Sequence, residues 1–497
     1  MQINKLAAAC AVVLAGVSAP ALALTAFETP DLKIFLSGAS APDNFLESIA
    51  TGMFVGTKGT DWFKYTDSAA QQRAFFGVMK GVADGVPATL AGKKVLFIKR
   101  STGGSVFGVN PVARAEALAV LKIASGVGGC TPSGVDYTCP VVGVDPGVGT
   151  PTGDELVADF GVSDVGPALF KEPYNVEFGK TQLSSAEVAG MTVTQVNTLA
   201  MGLAVTNAVP DTTYFSKAIY GALLSGNLSD WTQVDAALAP AAGPQVVVCR
   251  RVPGSGTQTS YNWFFNNFPC ATNSIAGSGN TQPTRMSDSA SGIVSGTGTV
   301  ADPFIIDPNA GYTVIENSTS GDVRNCLTKA AAGGVHTFKD EEGKSYSVTF
   351  DSDAGTAGNQ GGYGAVGVLS VDSLNSTGNA ANKWSFRAID GAGMYYDSDS
   401  TATIVPTSTG NGVHPSKSNI IEGKYEFASE LTMQYRNDLA GLKKTFADFF
   451  IARAGDPAFN SSAWVAALPP TYDPTTTANV AKGTRFGNMC APLQRLF

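Results

Sequence analysis

The sequence predicts an α/β protein. Between residues 30 and 270, apolar runs of strand length alternate with segments of helical period, the pattern of largely parallel sheets covered by helices. Three of four prominent strand ends pass into a small polar turn and then a helix signal. Composition agrees: 56 glycines and only 15% charged residues describe a loop-rich chain of exported type. At 497 residues it has length for two or three compact units.

Each element has its own justification. The run Leu32 to Leu36 enters Ser37-Gly38-Ala39-Ser40-Ala41-Pro42, and Leu46, Ile49 and Met53 then share a helical face over Asp43 to Phe54. Ser40 is placed to cap that helix, with Pro42 in its first turn. Val95 to Ile98 enters Lys99-Arg100-Ser101-Thr102-Gly103-Gly104-Ser105, with a helix expected only from Asn110-Pro111 to about Ala124. Val157 to Asp164 reads as a third strand, ending in a carboxylate. Val246 to Cys249 runs into Arg250-Arg251-Val252-Pro253-Gly254-Ser255-Gly256-Thr257, and Tyr261, Phe264, Phe265 and Phe268 recur behind it at helical spacing as core.

Beyond Cys270 the texture changes. Residues 271–310, rich in Gly, Ser, Thr and Asn, suggest an inserted hairpin or loop, and 311–372 alternate as strands, with a glycine-dense turn over Gly358 to Gly367. Tyr425 to Tyr435 reads as a strand. Leu439 to Ala454 reads as an amphipathic helix with Leu442, Phe446, Phe449 and Phe450 inward. No internal repeat is present. Gly179-Lys180-Thr181 and Gly343-Lys344-Ser345 lack the upstream glycine of a P-loop.

The first 23 residues, with Lys5, an apolar run to Val17 and Ala21-Leu22-Ala23, read as a cleaved signal peptide, so the chain is expected in the periplasm or outside the cell. The apolar run is too short to span a membrane, and no later stretch qualifies. Removing the peptide removes Cys10 and leaves Cys130, Cys139, Cys249, Cys270, Cys326 and Cys490. An even count suggests three disulfides among 15 possible pairings; Cys130 with Cys139 and Cys249 with Cys270 close short loops, leaving Cys326 for Cys490. No CxxC pair exists and His336 and His414 lie far from any cysteine cluster, so no metal or other cofactor is expected.

With 33 basic against 41 acidic residues the net charge is −8, which excludes a nucleic-acid-binding face. The turns suit a smaller anion. Each places free N–H groups and hydroxyls at the positive end of a helix dipole. Gly254 and Gly256 allow close backbone approach, Ser255 and Thr257 add hydroxyls, and Arg251 supplies a charged fork. Any one turn is equally an ordinary helix cap. Asp164 stands apart, because a carboxylate repels a bound anion unless that anion carries a proton for it to accept; phosphate does near neutrality and sulfate does not. Locally Asp164 reads equally as the next helix cap.

Taken in order, these segments resemble the periplasmic phosphate-binding protein of the high-affinity phosphate ABC importer. Arg250-Arg251-Val252-Pro253-Gly254-Ser255-Gly256-Thr257 is similar to that family's R-R-x-D-G-S-G-T loop, Asp159-Phe160-Gly161-Val162-Ser163-Asp164 to its D-F-G-x-S-D, and Ser37 to Pro42 to its first G-A-x-x-x-P turn. Met201 to Asn207 and Ile219-Tyr220-Gly221 through Asp230-Trp231 look like a core strand and helix of the second lobe. The resemblance implies a two-lobe, type II periplasmic-binding-protein fold with a two-stranded hinge, crossed near Val196 and Gly423, and added loop and hairpin insertions. It implies lobe 1 from 24–195 with 424–497 and lobe 2 from 196–423, carrying the 271–310 insertion.

The same likeness implies that Ser40, the Ala41 N–H, Ser101, Asp164, Arg251, Ser255, Gly256 and Thr257 bind phosphate, with Asp164 accepting its proton. Two departures stand out: Pro253 replaces the family's aspartate, and Lys99 and Arg100 precede Ser101, whose helix signal comes late. The expected function is capture of inorganic phosphate, or a similar protonated oxyanion such as arsenate, for an ABC transporter permease, without catalysis. The rival readings are an extracellular adhesion or assembly protein that keeps the fold, and a phosphatase-like hydrolase; against the latter stand the lack of G-x-S-x-G, of a metal cluster and of a nearby histidine in sequence.

Overall fold

The structure, a computed structural model, describes residues 24–177, 179–270, 285–340, 342–351, 360–374, 383–398, 404–459, 465–468 and 479–495. The expected signal peptide, the front of the 271–310 insertion and the start of the Gly358 to Gly367 turn lie outside the described residues. In the N-terminal part, β1 (Leu32–Gly38) leads into α1 (Asp43–Gly52), followed by β2 (Trp62–Thr66), β3 (Gln72–Val78), β4 (Lys94–Arg100), β5 (Phe160–Ser163) and the long β6 (Met191–Thr206). Then come α2 (Lys217–Leu224), β7 (Val247–Arg251), α3 (Gly256–Asn266), β8 (Phe304–Ile306), β9 (Thr313–Asn317), α4 (Ser320–Ala332), β10 (Gly334–Lys339), β11 (Ser345–Phe350), β12 (Ala365–Ser370) and β13 (Trp384–Arg387). The chain closes with β14 (Ala428–Arg436), α5 (Gly441–Gly455) and β15 (Val465–Ala467).

One continuous sheet runs in the order β9-β7-β12-β6-β14-β5-β1-β4-β3-β2. Its two ends are separate parallel cores: β5-β1-β4 on one side and β12-β7-β9 on the other. Strands buried on both faces read as unbroken apolar runs, which is why β1, β4 and β7 are visible in the sequence. Antiparallel β6 and β14 join the cores, pairing from Met191 opposite Arg436 to Ala200 opposite Ala428, with a register shift between Gln195 and Asn197. The N-terminal half of β6 stays with β14, which pairs β5, while its C-terminal half pairs β12. This is a two-lobed α/β fold with a two-stranded connection. Apolar faces of α1 and α5 pack on the first core, where Phe97, Phe446 and Phe450 meet.

Several expectations are corrected. The helix expected to reach Ala124 stops at Arg114, because Ala115 takes a left-handed conformation (φ 55°) and short strands follow at Ala117–Leu118 and Val120–Leu121. The strand expected over Val157 to Asp164 is broken: Leu156–Val157 pairs with Ala117–Leu118, and only Phe160–Ser163 enters the main sheet. The strand-like region 311–372 contains α4, where the Thr319 hydroxyl accepts the Asp322 N–H and the Asp322 carboxylate accepts the Thr319 N–H. Behind it, β8, β11 and β10 form a small separate sheet.

Cys130–Cys139 forms as expected, but the other pairs are Cys249–Cys326 and Cys270–Cys490. The reason is α4, which lays Cys326 over β7 with its Cα 6.0 Å from that of Cys249. Helix α3 meanwhile carries Cys270 away to the C-terminal segment. That segment leaves α5, pairs β15 with Asn197 to Leu199 of β6 and is tied to Cys270 through Cys490. Among the described residues no helix is long and apolar enough to cross a membrane.

Candidate functional site

The ends of β1, β5 and β7 and the starts of α3 and α4 meet between the two cores. Arg251, the last residue of β7, is buried and spans the junction. Its Nη1 donates to the hydroxyls of Ser40 (3.3 Å) and Ser320 (3.1 Å), and its Nη2 to the Ser318 carbonyl (2.7 Å). Nε has no partner among the described residues. Burial lowers the Arg251 pKa to about 10, opposed by the charges of Asp164, Asp322 and Asp43.

Asp164 follows β5 and is also fully buried. Its Oδ2 accepts the Thr257 hydroxyl across the junction at 3.0 Å, while Oδ1 has no partner among the described residues. Desolvation raises its pKa to about 6; Thr257, Arg251, Ser105 and Lys99 pull it back. At neutral pH it is therefore mainly ionised, with one oxygen available to accept a proton. An unmatched carboxylate oxygen and an unmatched guanidinium nitrogen buried in one junction form a donor and acceptor pair suited to a protonated oxyanion.

Helix α3 supplies the third wall. Ser255 is its N-cap, accepting the Gln258 N–H at 3.4 Å. Gly256 is obligatory at this spot: a Cβ there would lie 2.2 Å from Ser105 Oγ and 2.8 Å from the Asp164 Cβ. Backbone of one lobe thus meets side chains of the other. The Val106 N–H donates to the Gly254 carbonyl at 3.0 Å in the same seam. Beside it, Glu177 is buried with Oε2 unpartnered among the described residues, and desolvation pushes its pKa up to about 7.

Two sequence expectations move. Ser40 does not cap α1, whose N-cap is Pro42 with no capping side chain; its hydroxyl faces Arg251 and Ser320 instead, within 3.4 Å of the latter. The Ala41 carbonyl accepts from Ser370 of β12 at 3.3 Å. Ser101 lies near them, but its hydroxyl donates to Asp43 (2.7 Å) and accepts from Lys99 (2.7 Å). Lys99 in turn pairs with Asp43 at 2.8 Å beneath the first turn. The hydroxyl beside Asp164 is that of Ser105, which accepts the Asp164 N–H at 3.2 Å. Gly103 and Gly104, both left-handed (φ 78° and 79°), turn the chain so that the residue four positions past Ser101 arrives there.

Sequence reasoning thus missed Ser105, Ser318 and Ser320. For the last two the available signal was the Thr319-x-x-Asp322 capping box. It also missed that His336 stands close by, its Nε2 2.8 Å from Asn317 Oδ1 at the end of β9. Burial lowers its pKa to about 4, so the ring is neutral and holds Asn317 in place. Among the described residues no group of three or more His, Cys, Asp and Glu could hold a metal ion.

A family profile described as a PBP superfamily domain matches residues 167–454. The fold is similar to the ancestral soluble variant of the human phosphate binding protein, with 13% identity over 92% of this chain and 98% of that one, at a TM-score of 0.42. It is also similar to an ABC-type phosphate transport receptor from Vibrio cholerae, with 12% identity over 84% and 93% of the two chains, at a TM-score of 0.33. Among curated proteins, no sequence match was found. The profile covers more than half of the sequence and includes the hinge strands, β7 and α3, and on that ground the chain belongs to the PBP superfamily.

Proposed function

We propose that the chain is an exported solute-binding protein that captures inorganic phosphate, or another oxyanion still protonated near neutrality, between its two lobes. The observation that carries this reading is the burial of Asp164 and Arg251 near enough for each charge to act on the other, each with a polar atom unmatched among the described residues. Phosphate would take donors from Arg251, Ser40, the Ala41 N–H and the Ser255 to Thr257 turn, and would give its proton to Asp164. The resemblance gave the second turn's hydroxyl to Ser101; Ser105, whose hydroxyl accepts the Asp164 N–H, would serve in its place. Sulfate has no proton to give and would set two acceptors against each other.

The lobes are assigned as residues 24–195 with the chain from 424, and 196–423, with the C-terminal segment reaching from the first to the second. Delivery to an ABC importer in the periplasm follows from the family resemblance of the loops. The buried charge pair and the hydroxyls around it suit an anion held whole, which supports binding rather than hydrolysis. Calorimetric titration of protein refolded free of ligand tests the reading. Phosphate binding at micromolar affinity or tighter, roughly −8 kcal/mol, with little response to sulfate is the expected result. Silence toward phosphate sinks it.

A further inference from the structure

A cavity of about 180 Å3 adjoins the anion site, and Ser40, Ala41 and Ser320 line both. It lies between the lobes. Its walls contain no apolar side chain larger than alanine; they are hydroxyls, amides, backbone, two arginines and the carboxylates of Asp43 and Asp372. Two helices of ten and thirteen residues begin on it, α1 without a capping side chain and α4 with Thr319, Ser320 and Gly321 on the wall.

Two arginines face this space, and they differ. Arg73 is matched by Glu47 at 2.9 Å and lies 3.6 Å from Asp43, which Lys99 also neutralises. Arg324, one turn into α4, folds back over the helix start, with Nη2 3.7 Å from where a Cβ on Gly321 would stand. Among the described residues Arg324 makes no ion pair; burial disfavours its charge, and Asp372, which lines the same cavity, and Asp322 oppose that from beyond contact distance. A partly desolvated cation that lines a polar cavity and lacks a contacting anion is completed by an anionic ligand.

We propose that this cavity is a second anion subsite, and that the protein takes a diphosphate: one tetrahedral group at Arg251 and Asp164, the other, joined through a bridging oxygen, at Arg324. The proposal rests on the reading of the first site as a phosphate site. The shortness of the step explains the choice, since Ser40 and Ser320 belong to both places and the walls offer no surface for a carbon chain.

The test is calorimetric titration of the full chain, stripped of ligand, with orthophosphate and with inorganic diphosphate at neutral pH and fixed ionic strength. Diphosphate is expected to bind at least about tenfold more tightly, a difference of about 1.4 kcal/mol. Arg324→Gln should remove that advantage while leaving orthophosphate affinity within about twofold, and Arg324→Lys should keep part of it. Orthophosphate binding with equal or weaker diphosphate binding by the parent overturns the second subsite alone, whatever the variants do. An equal loss of both ligands in Arg324→Gln also overturns it. If neither ligand binds the parent, the phosphate reading itself fails.

Discussion

Thr257, in the first turn of α3, donates its hydroxyl to Asp164, at the end of β5, across 3.0 Å of buried interface between the lobes. The contact joins two segments 93 residues apart in the chain. It leaves one oxygen of Asp164 without a partner among the described residues, so in the proposed function the same carboxylate would both hold the lobes together and select what lies between them.

Asp164→Asn removes the acceptor and puts a donor beside it. Phosphate binding should weaken by about 1.5–3 kcal/mol, on the order of ten- to a hundredfold, as for a lost hydrogen bond to a charged group. Sulfate should gain. Titration of the variant with both anions checks this, and unchanged phosphate affinity would refute the proton-acceptor role. Arg251→Ala, which removes a positive charge that both anions would meet, should lose most affinity for both.

The Asp164 pKa of about 6 gives the selectivity a pH dependence. Above that value the carboxylate is ionised and repels sulfate; below it the group is protonated and becomes a donor. Sulfate binding should therefore strengthen as pH falls from about 7 to 5. Direct titration with sulfate, which does not itself titrate in that range, should show the change in the parent and a flat profile in Asp164→Asn.

How much of this was readable in advance depends on where the information sits. The strands β1, β4 and β7 are apolar on both faces and stop at polar turns, so their ends, and with them Ser40 and Arg251, stand out in one dimension. The α4 helix does not, because Val323, Cys326, Leu327 and Ala330 are spaced among small and polar residues between two strand-rich stretches. Missing it also misassigned Cys249 and Cys326, since the short loop to Cys270 is the natural guess only when nothing covers β7. Ser105 is a different case. Its place beside Asp164 comes from a double glycine turn and from the packing of one lobe on the other, and no local pattern near Ser101 encodes that.

Gly256→Ala should act on closure rather than on folding. The added methyl would stand 2.2 Å from Ser105 Oγ, an atom of the opposite lobe, so the seam must open to admit it. Phosphate affinity should fall by at least about tenfold, while the secondary structure of each lobe persists, because the strain is relieved by separation. Titration paired with circular dichroism distinguishes this from unfolding.

Glu177 provides a stability test with a defined sign. Its folded pKa is raised from 4.5 to about 7 by burial, so between those values the folded state holds a proton that the unfolded state has lost. Its contribution is fully present below about pH 4.5 and is lost as pH rises through about 7. Glu177→Gln cannot ionise. Relative to the parent it should gain melting temperature at about pH 8, and that advantage should shrink toward about pH 5. A difference that does not change with pH would mean that Glu177 is not buried in the closed seam.

The C-terminal segment offers the last prediction. Cys270–Cys490 closes a chain separation of 220 residues, whereas Cys130–Cys139 closes only 9. A crosslink stabilises mainly by restricting the unfolded chain, and in that account the longer loop counts for more, within a usual range of about 2–4 kcal/mol. The tail it fixes also satisfies a buried charge: Glu430 on β14 accepts the Thr484 hydroxyl at 2.6 Å and the Gly487 N–H at 2.8 Å, and the Arg485 N–H as well. Replacing both Cys270 and Cys490 with serine should therefore lower the melting temperature by several degrees, and by more than the same change at Cys130 and Cys139. Glu430→Gln in the disulfide-free background should add little, because a tail already released no longer holds the carboxylate. Thermal melts of the two double variants and the triple variant decide the matter. A larger loss from Cys130 and Cys139 would show that the tail, despite its bond to Cys270, does not contribute to holding the lobes.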